Sequence, residues 1–322
     1  MRIFRYVSDI HLELRQTHCF PKLIPYTKFN KAKTDSVYLA LLGDIGNPFT
    51  PELNDFFKEI SPLYEQIFYV PGNHEYYNTH SNVDPNVDPN VNPNVNPNVN
   101  SKSAKPVSEC VNVLEKICST YPNITLLNNK SIMLDEFKII GTTLWSHVDE
   151  QNRTHIEESI NDYHLIYNSD GSKISTTDTN RWNSEAVNFL QKEINTANIN
   201  STPCIVLTHH APLFSDPILS HYTASPKYFS TPLNQAFHND LGYLIKYPIV
   251  AWLYGHTHYA SSFDYGSVSV RTNQLGYIRE ESQISFNPYA YLDLNAQKLK
   301  YDIPNNTHVT QDEFDALWFV AL

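Results

Sequence analysis

Long apolar runs are missing from this sequence. No stretch approaches the roughly 20 residues that a membrane-spanning helix needs, and no signal peptide fits the N-terminus, where a strand-like Arg2–Val7 runs straight into polar Asp9. Paired cysteine motifs are missing too. Cys19, Cys110, Cys118 and Cys204 show no C-x-x-C spacing, which argues against a disulfide framework and for reduced thiols in a cytoplasmic protein. Positive charge is short: Lys and Arg number 23 against 34 Asp and Glu, for a formal net charge of -11. With no Lys/Arg stripe, long nucleic acid and anionic membrane are poor candidates for the main partner. Small anionic substrates stay open, because bound divalent cations can invert a local field. Charged residues make up 18% of the chain, below the roughly 25% of average soluble domains.

What the chain has is aromatic bulk. Methionine (2) and tryptophan (4) are scarce, but 21 Tyr and 16 Phe bring the hydrophobic fraction to 41%. That is ample for a core in a 322-residue chain, long enough for one large α/β domain or two small ones. Continuous apolar runs read as strands at Ile3–Val7, Val37–Leu42, Gln66–Val70, Cys204–Thr208 and Ile249–Tyr254. Shorter strands are expected at Ile124–Leu127, Ser131–Leu134 and Phe137–Ile140. Antiparallel alternation is expected at Ser267–Arg271, Tyr289–Leu294 and Lys298–Tyr301. Helical spacing marks Pro51–Ile60 (Thr50 as N-cap), Val107–Thr120, Trp182–Ile194 and Thr231–Lys246. Thr142–Asn180 is long and polar and gives no clear assignment. Between Asn82 and Asn100 runs NVDPNVDPNVNPNVNPNVN, a four-residue repeat with Pro and Asn in every unit. Neither helix nor strand can pass through it, and its composition reads as a solvated low-complexity insertion in a surface loop.

Five of the apolar strands end in small polar clusters: Asp9-Ile10-His11, Gly43-Asp44, Gly72-Asn73-His74-Glu75, Thr208-His209-His210 and Gly255-His256-Thr257-His258. Each cluster alone means little. Together they hold six of the 14 histidines. Ligands in open α/β sheets bind at the carboxyl ends of strands, so the five clusters are expected to share one crevice. Imidazole and carboxylate donors without thiolate suit Mn, Fe or Zn. The donors are too many for one ion and fit two, with Asp44, alone on its strand end, as the bridging carboxylate.

The blocks D-x-H, G-D, G-N-H-E, a histidine after a buried strand, and G-H-x-H occur here in the order that the calcineurin-like metallophosphoesterases show. The sequence resembles that family from Met1 to about Leu294. The further blocks Gly141–Trp145 (GTTLW), Asn161–Tyr163 (NDY), Thr208–Pro212 (THHAP) and Gly255–His258 (GHTH) resemble its prokaryotic-type members. The resemblance implies a four-layer αββα sandwich of two mixed β-sheets flanked by helices, with the metal site at the strand carboxyl ends. It implies that Asp9, His11 and His258 hold a first ion, that Asn73, His210 and His256 hold a second, and that Asp44 bridges them. His210 is preferred to His209 because Pro212 follows it by two. His74 is implied to be catalytic, contacting the phosphate and protonating the leaving group.

The expected protein is therefore a metal-dependent hydrolase of a small phosphomonoester or phosphodiester. A nuclease and a catalytically silent scaffold are the alternatives. One domain is expected over 1–302, since any cut would separate ligands, followed by a tail at 303–322. Glu75 is expected to support the ligands, and Trp145 and Trp182 to pack. Asp162 and Tyr163 either scaffold a loop or reach the site, and the aromatic segment Tyr222–Tyr228 is not assigned a role.

Overall fold

The computed structural model describes residues 2–15, 36–78, 104–277, 280, 285–288, 290–295 and 300–301. The 82–100 repeat and the 303–322 tail lie outside the described residues. In chain order the elements are β1 (Arg2–Val7), β2 (Ser36–Leu42), α1 (Pro51–Ile60), β3 (Gln66–Val70), α2 (Val107–Ser119), β4 (Ile124–Leu126), β5 (Lys130–Leu134) and β6 (Phe137–Thr142). There follow α3 (Arg153–Ser159), α4 (Asp162–Leu165), α5 (Thr176–Ile199), β7 (Cys204–Thr208), β8 (Ile249–Tyr254), β9 (Ser262–Tyr265), β10 (Val268–Thr272), β11 (Tyr291–Asp293) and β12 (Lys300–Tyr301).

The strands form two six-stranded sheets, ordered β12-β11-β1-β2-β3-β4 and β5-β6-β7-β8-β10-β9. In the first, β1 to β4 run parallel and β11 joins β1 antiparallel. In the second, β6, β7, β8 and β10 run parallel, with β5 and β9 antiparallel at the edges. Both sheets are mixed, as expected.

Strand side chains alternate between two faces, and here both faces are buried. Phe4, Tyr38, Ala40, Leu42, Phe68 and Val70 meet Ile139, Ile205, Leu207, Ala251 and Leu253 in the layer between the sheets. The intervening residues Ile3, Leu39, Leu41, Ile67 and Tyr69 pack outward on Leu53, Phe56 and Phe57 of α1 and Leu114 of α2. On the far side Val206, Trp252, Val268 and Val270 pack on Ala186, Leu190 and Ile194 of α5. Four layers result, which explains why these strands read as unbroken apolar runs. Among the described residues no helix is long and apolar enough to cross a membrane.

Three expectations change. Thr231–Lys246 is not an α-helix; it holds two short 3-10 turns, Pro232–Ala236 and Gly242–Leu244. Between them the backbone leaves helical geometry to pair with another segment: Ala211 N donates to Phe237 O, Asn239 N to Ala211 O and Leu241 N to Pro212 O. The strand at Ser267–Arg271 shifts to β10, parallel to β8, and its antiparallel neighbour β9 was not foreseen. Helix α5 starts six residues before Trp182, because Ser175 and Asp178 form a capping box in which Asp178 Oδ2 accepts from both Ser175 N and Ser175 Oγ at 3.0 Å.

Candidate metal centre

Parallel strands carry their carboxyl ends to one edge. β1, β2 and β3 are neighbours in one sheet, and β7 and β8 in the other. The five polar clusters therefore leave their strands side by side. Their loops are stitched together by backbone bonds: Asp9 N to Gly43 O at 3.0 Å, His11 N to Asp44 O at 2.9 Å and Gly255 N to His209 O at 2.9 Å. A Cβ on Gly72 would strike the Asp44 carboxylate, and one on Gly43 would strike both His209 and Gly72. These glycines are what let the two sheets' loops close on each other.

The turns are also strained. Asp9, His11, Asp44, His256 and His258 all have positive φ, between 45° and 74°. Left-handed backbone in non-glycine residues costs on the order of 1–3 kcal/mol each and concentrates at functional sites.

Among the described residues there are three sets whose donor atoms lie within 4.8 Å of one another: Asp9, His11 and His258; His11, Asp44 and His74; and Asp44, His209 and His256. His11 and Asp44 are each shared between two sets, so the three form one chain of donors. All are buried or nearly so. Asp44 Oδ2 lies 3.9 Å from both His11 Nε2 and His74 Nε2, and its Oδ1 lies 3.4 Å from His209 Nε2. His258 Nε2 is 3.3 Å from Asp9 Oδ1.

Two contacts fit a cation in particular. His11 and His258 face each other through Nε2 at 3.0 Å, while their Nδ1 atoms are turned to Glu13 and Glu280. His209 Nδ1 donates to Leu42 O at 2.8 Å, which turns its Nε2 to Asn73 Oδ1, also at 2.8 Å. Asn73 spends its amide N–H groups on Asp162 and Tyr77, so its oxygen is the atom aimed at His209. In each pair two lone pairs converge unless a proton or a metal lies between them.

Of the predicted residues, Asp9, His11, Asp44, Asn73, His74, His256 and His258 come together. His210 stands differently. Its Nδ1 lies 3.2 Å from Thr143 O, and its ring packs 4.0 Å from His256 and 5.5 Å from Trp145. The adjacent His209, the second choice in the sequence, is the histidine in the donor set.

The electrostatics divide the histidines. Burial, with neighbouring histidines, holds His210 and His256 well below their ordinary value and lowers His11, so these rings favour the neutral, ligating form. Burial also works against charge on His209, but Asp44 overrides it and raises the ring to about 9. A metal there would displace a proton. For His258 burial is again opposed, here by Glu280 and Asp9, which lift it well above the usual value. His74 is raised despite burial, by Asp44 and Glu13.

A second ring of groups fixes these donors. Glu75 is fully buried and accepts four backbone N–H bonds, from Gly72 and Asp44 on Oε2 and from Ile45 and Gly46 on Oε1. It supports the ligand loops, as expected. Asp162 Oδ1 accepts from Asn73 Nδ2 at 2.8 Å and Tyr77 OH at 2.6 Å, so it does reach the site. Tyr163 instead lies near Thr179 in a buried cluster, and Trp145 packs on Trp182 at 5.1 Å between ring centres. Three groups were missed in the sequence: Glu13, 3.1 Å from His74 Nδ1; Glu280, 2.6 Å from His258 Nδ1; and Tyr277, whose hydroxyl is 3.1 Å from His74 Nε2. Only Glu13 left a trace, as a carboxylate two residues after His11.

The chain matches calcineurin-like phosphoesterases over residues 4–260, a span that holds every strand-end cluster. The chain belongs to this family. A relative within the range of ordinary alignment is an uncharacterized protein of Acanthamoeba polyphaga mimivirus, 46% identical over 301 residues, or 92% of this chain and 98% of that one. Among solved structures, the phosphopantetheinyl hydrolase PptH from Mycobacterium tuberculosis has the same fold, with a TM-score of 0.58 at 15% identity over 94% of this chain and 96% of that one.

Proposed function

We propose that this family member is a phosphoesterase that works with two divalent cations of the Mn, Fe or Zn type. The observation that carries the reading is the continuous chain of donors from Asp9 to His256, linked through His11 and Asp44. Asp9, His11 and His258 would hold one cation and Asn73, His209 and His256 the other, with Asp44 the donor common to the two halves of the set. His209 replaces His210 in the set on the strength of its Nε2 contacts with Asn73 and Asp44. A donor set of imidazole, carboxylate and amide oxygen suits such cations. When bound, they neutralise phosphoryl oxygens and make a water acidic enough to supply hydroxide near neutral pH.

The chain's own residues handle the leaving group. Hydrolysis joins a water oxygen to phosphorus and breaks the bond to the ester oxygen, which must collect a proton. His74 is placed to give it. Glu13 accepts from Nδ1, which fixes the ring and turns Nε2 into the site, where the Tyr277 hydroxyl lies 3.1 Å from it. Tyr77 stacks on the same ring with centroids 4.2 Å apart. Donation of this kind contributes about 10²–10⁴ in rate. The negative overall charge and the absence of a basic stripe support a small phosphate ester over a nucleic acid.

The test is turnover of p-nitrophenyl phosphate and bis-p-nitrophenyl phosphate by chelated protein reloaded with Mn²⁺, beside His74→Ala. Activity that depends on metal and falls at least 100-fold in the variant supports the reading. Two bound ions with no turnover of either ester would favour a silent scaffold.

A further inference from the structure

We propose that Tyr277 is a second substrate-contacting residue, whose hydroxyl binds a phosphoryl oxygen beside His74. The inference rests on the phosphoesterase reading above. It starts from how completely His74 is surrounded. Its Nδ1 is committed to Glu13 at 3.1 Å. One face is covered by Tyr77, and the His11 ring meets it edge-on at 4.4 Å between centroids. Nε2 remains, and the Tyr277 hydroxyl lies 3.1 Å from it. A ring nitrogen offers one in-plane hydrogen-bonding direction, and the Tyr277 hydroxyl holds it, so a phosphoryl oxygen that takes up this nitrogen displaces the hydroxyl and comes to lie beside it. A phosphate ester therefore cannot engage His74 without also meeting the phenol.

The loop that delivers Tyr277 belongs to the donor cluster. Leu275 N donates to Ser8 O and Gly276 N to Asp9 O, so the segment is bound to the β1 end. Arg15 Nη2 donates to Gly276 O at 2.7 Å, and Tyr277 N to Glu280 Oε2 at 2.7 Å. Glu280 in turn holds His258. The phenol ring lies against His11 and His258, with centroids 4.5 Å and 4.4 Å away. It is buried, so its position is set by packing, and its hydroxyl is held at the edge of the His74 ring. The hydroxyl keeps its proton throughout. It donates, and no proton transfer is assigned to it.

Tyr277→Phe removes one oxygen and keeps the ring packing. In Mn²⁺-reloaded protein the variant should keep the wild-type metal content. It should lose about 10- to 100-fold in kcat/KM for bis-p-nitrophenyl phosphate, the range for a hydrogen bond to a charged group. Inorganic phosphate, titrated calorimetrically into the same protein, should bind correspondingly more weakly. A loss in either measurement at unchanged metal content supports the proposal. Wild-type values within twofold in both overturn it, as does loss of an ion, which would make the hydroxyl a support for the ligands. If wild-type protein turns over neither ester, the phosphoesterase reading fails, and the two phosphate affinities still decide the role of Tyr277.

Discussion

The Nε2 of His209 lies 2.8 Å from the Oδ1 of Asn73. The histidine comes from the end of β7 in one sheet and the asparagine from the end of β3 in the other. Their meeting is the point where the two sheets share the proposed second cation, and both atoms are oriented from behind, by Leu42 O and by Asp162.

This contact separates two adjacent histidines. His209→Ala is expected to lose one of two Mn equivalents by elemental analysis, while His210→Ala keeps both. Loss of an ion from His210→Ala alone would return the ligand role to His210.

Asp162 holds Asn73, a ligand of the proposed second cation, through a 2.8 Å hydrogen bond. With Asp162→Ala the amide loses the acceptor that fixes its orientation, and loss of a partner behind a ligand weakens metal binding by about 10- to 100-fold. Equilibrium dialysis should show the loss confined to one ion. Asp162→Asn, which keeps an oxygen, should show a smaller effect. Unchanged affinity in Asp162→Ala would refute the orienting role.

Glu75 is a fold-level counterpart. Its carboxylate is fully buried, and burial together with Asp44 pushes it up to about 7. In Glu75→Gln an amide N–H₂ must face backbone N–H groups that the oxygen had satisfied. A bond to a charged group contributes about 1.5–3 kcal/mol. Urea denaturation at pH 8.5, where the carboxylate is charged, should register a loss of that order, with a lower Tm. An unchanged midpoint would show that the loops hold without it.

The parts of the site legible in the sequence are those set by chain direction. Leu42 to Asp44 and Val70 to Asn73 each show an apolar run ending in glycine and a donor, and strand geometry does the rest. His209 and His210 were harder. Consecutive residues leaving a strand point in different directions, and the spacing to Pro212 carries no information about which ring turns inward. Tyr277 and Glu280 were invisible, because they reach His74 and His258 only after β10 pairs with β8 and the following loop folds onto Asp9. The same cause hid the break in Thr231–Lys246, where pairing with Ala211 overrides local helical preference.

Buried His238 gives a pH dependence that can be worked out in sign. Its ring stacks on Phe214, and its Nδ1 donates to Asn234 O at 2.9 Å. Burial lowers its pKa from 6.5 to about 4, against a partial pull from backbone acceptors. Between these values the unfolded chain takes up a proton that the folded chain refuses. The contribution to stability is therefore complete above pH 6.5 and is lost as pH falls toward 4. The size of the shift makes this about 3 kcal/mol by pH 4. In chelated protein, where no bound ion competes, the unfolding free energy from urea titrations should fall more between pH 7.5 and 4.5 for wild type than for His238→Asn, by about 2–3 kcal/mol. The variant starts from lower stability because it loses the Phe214 contact, so the comparison is between slopes and not between absolute values. Parallel slopes would mean that the folded protein protonates His238 as readily as the unfolded chain does, and that burial there is not what suppresses the charge.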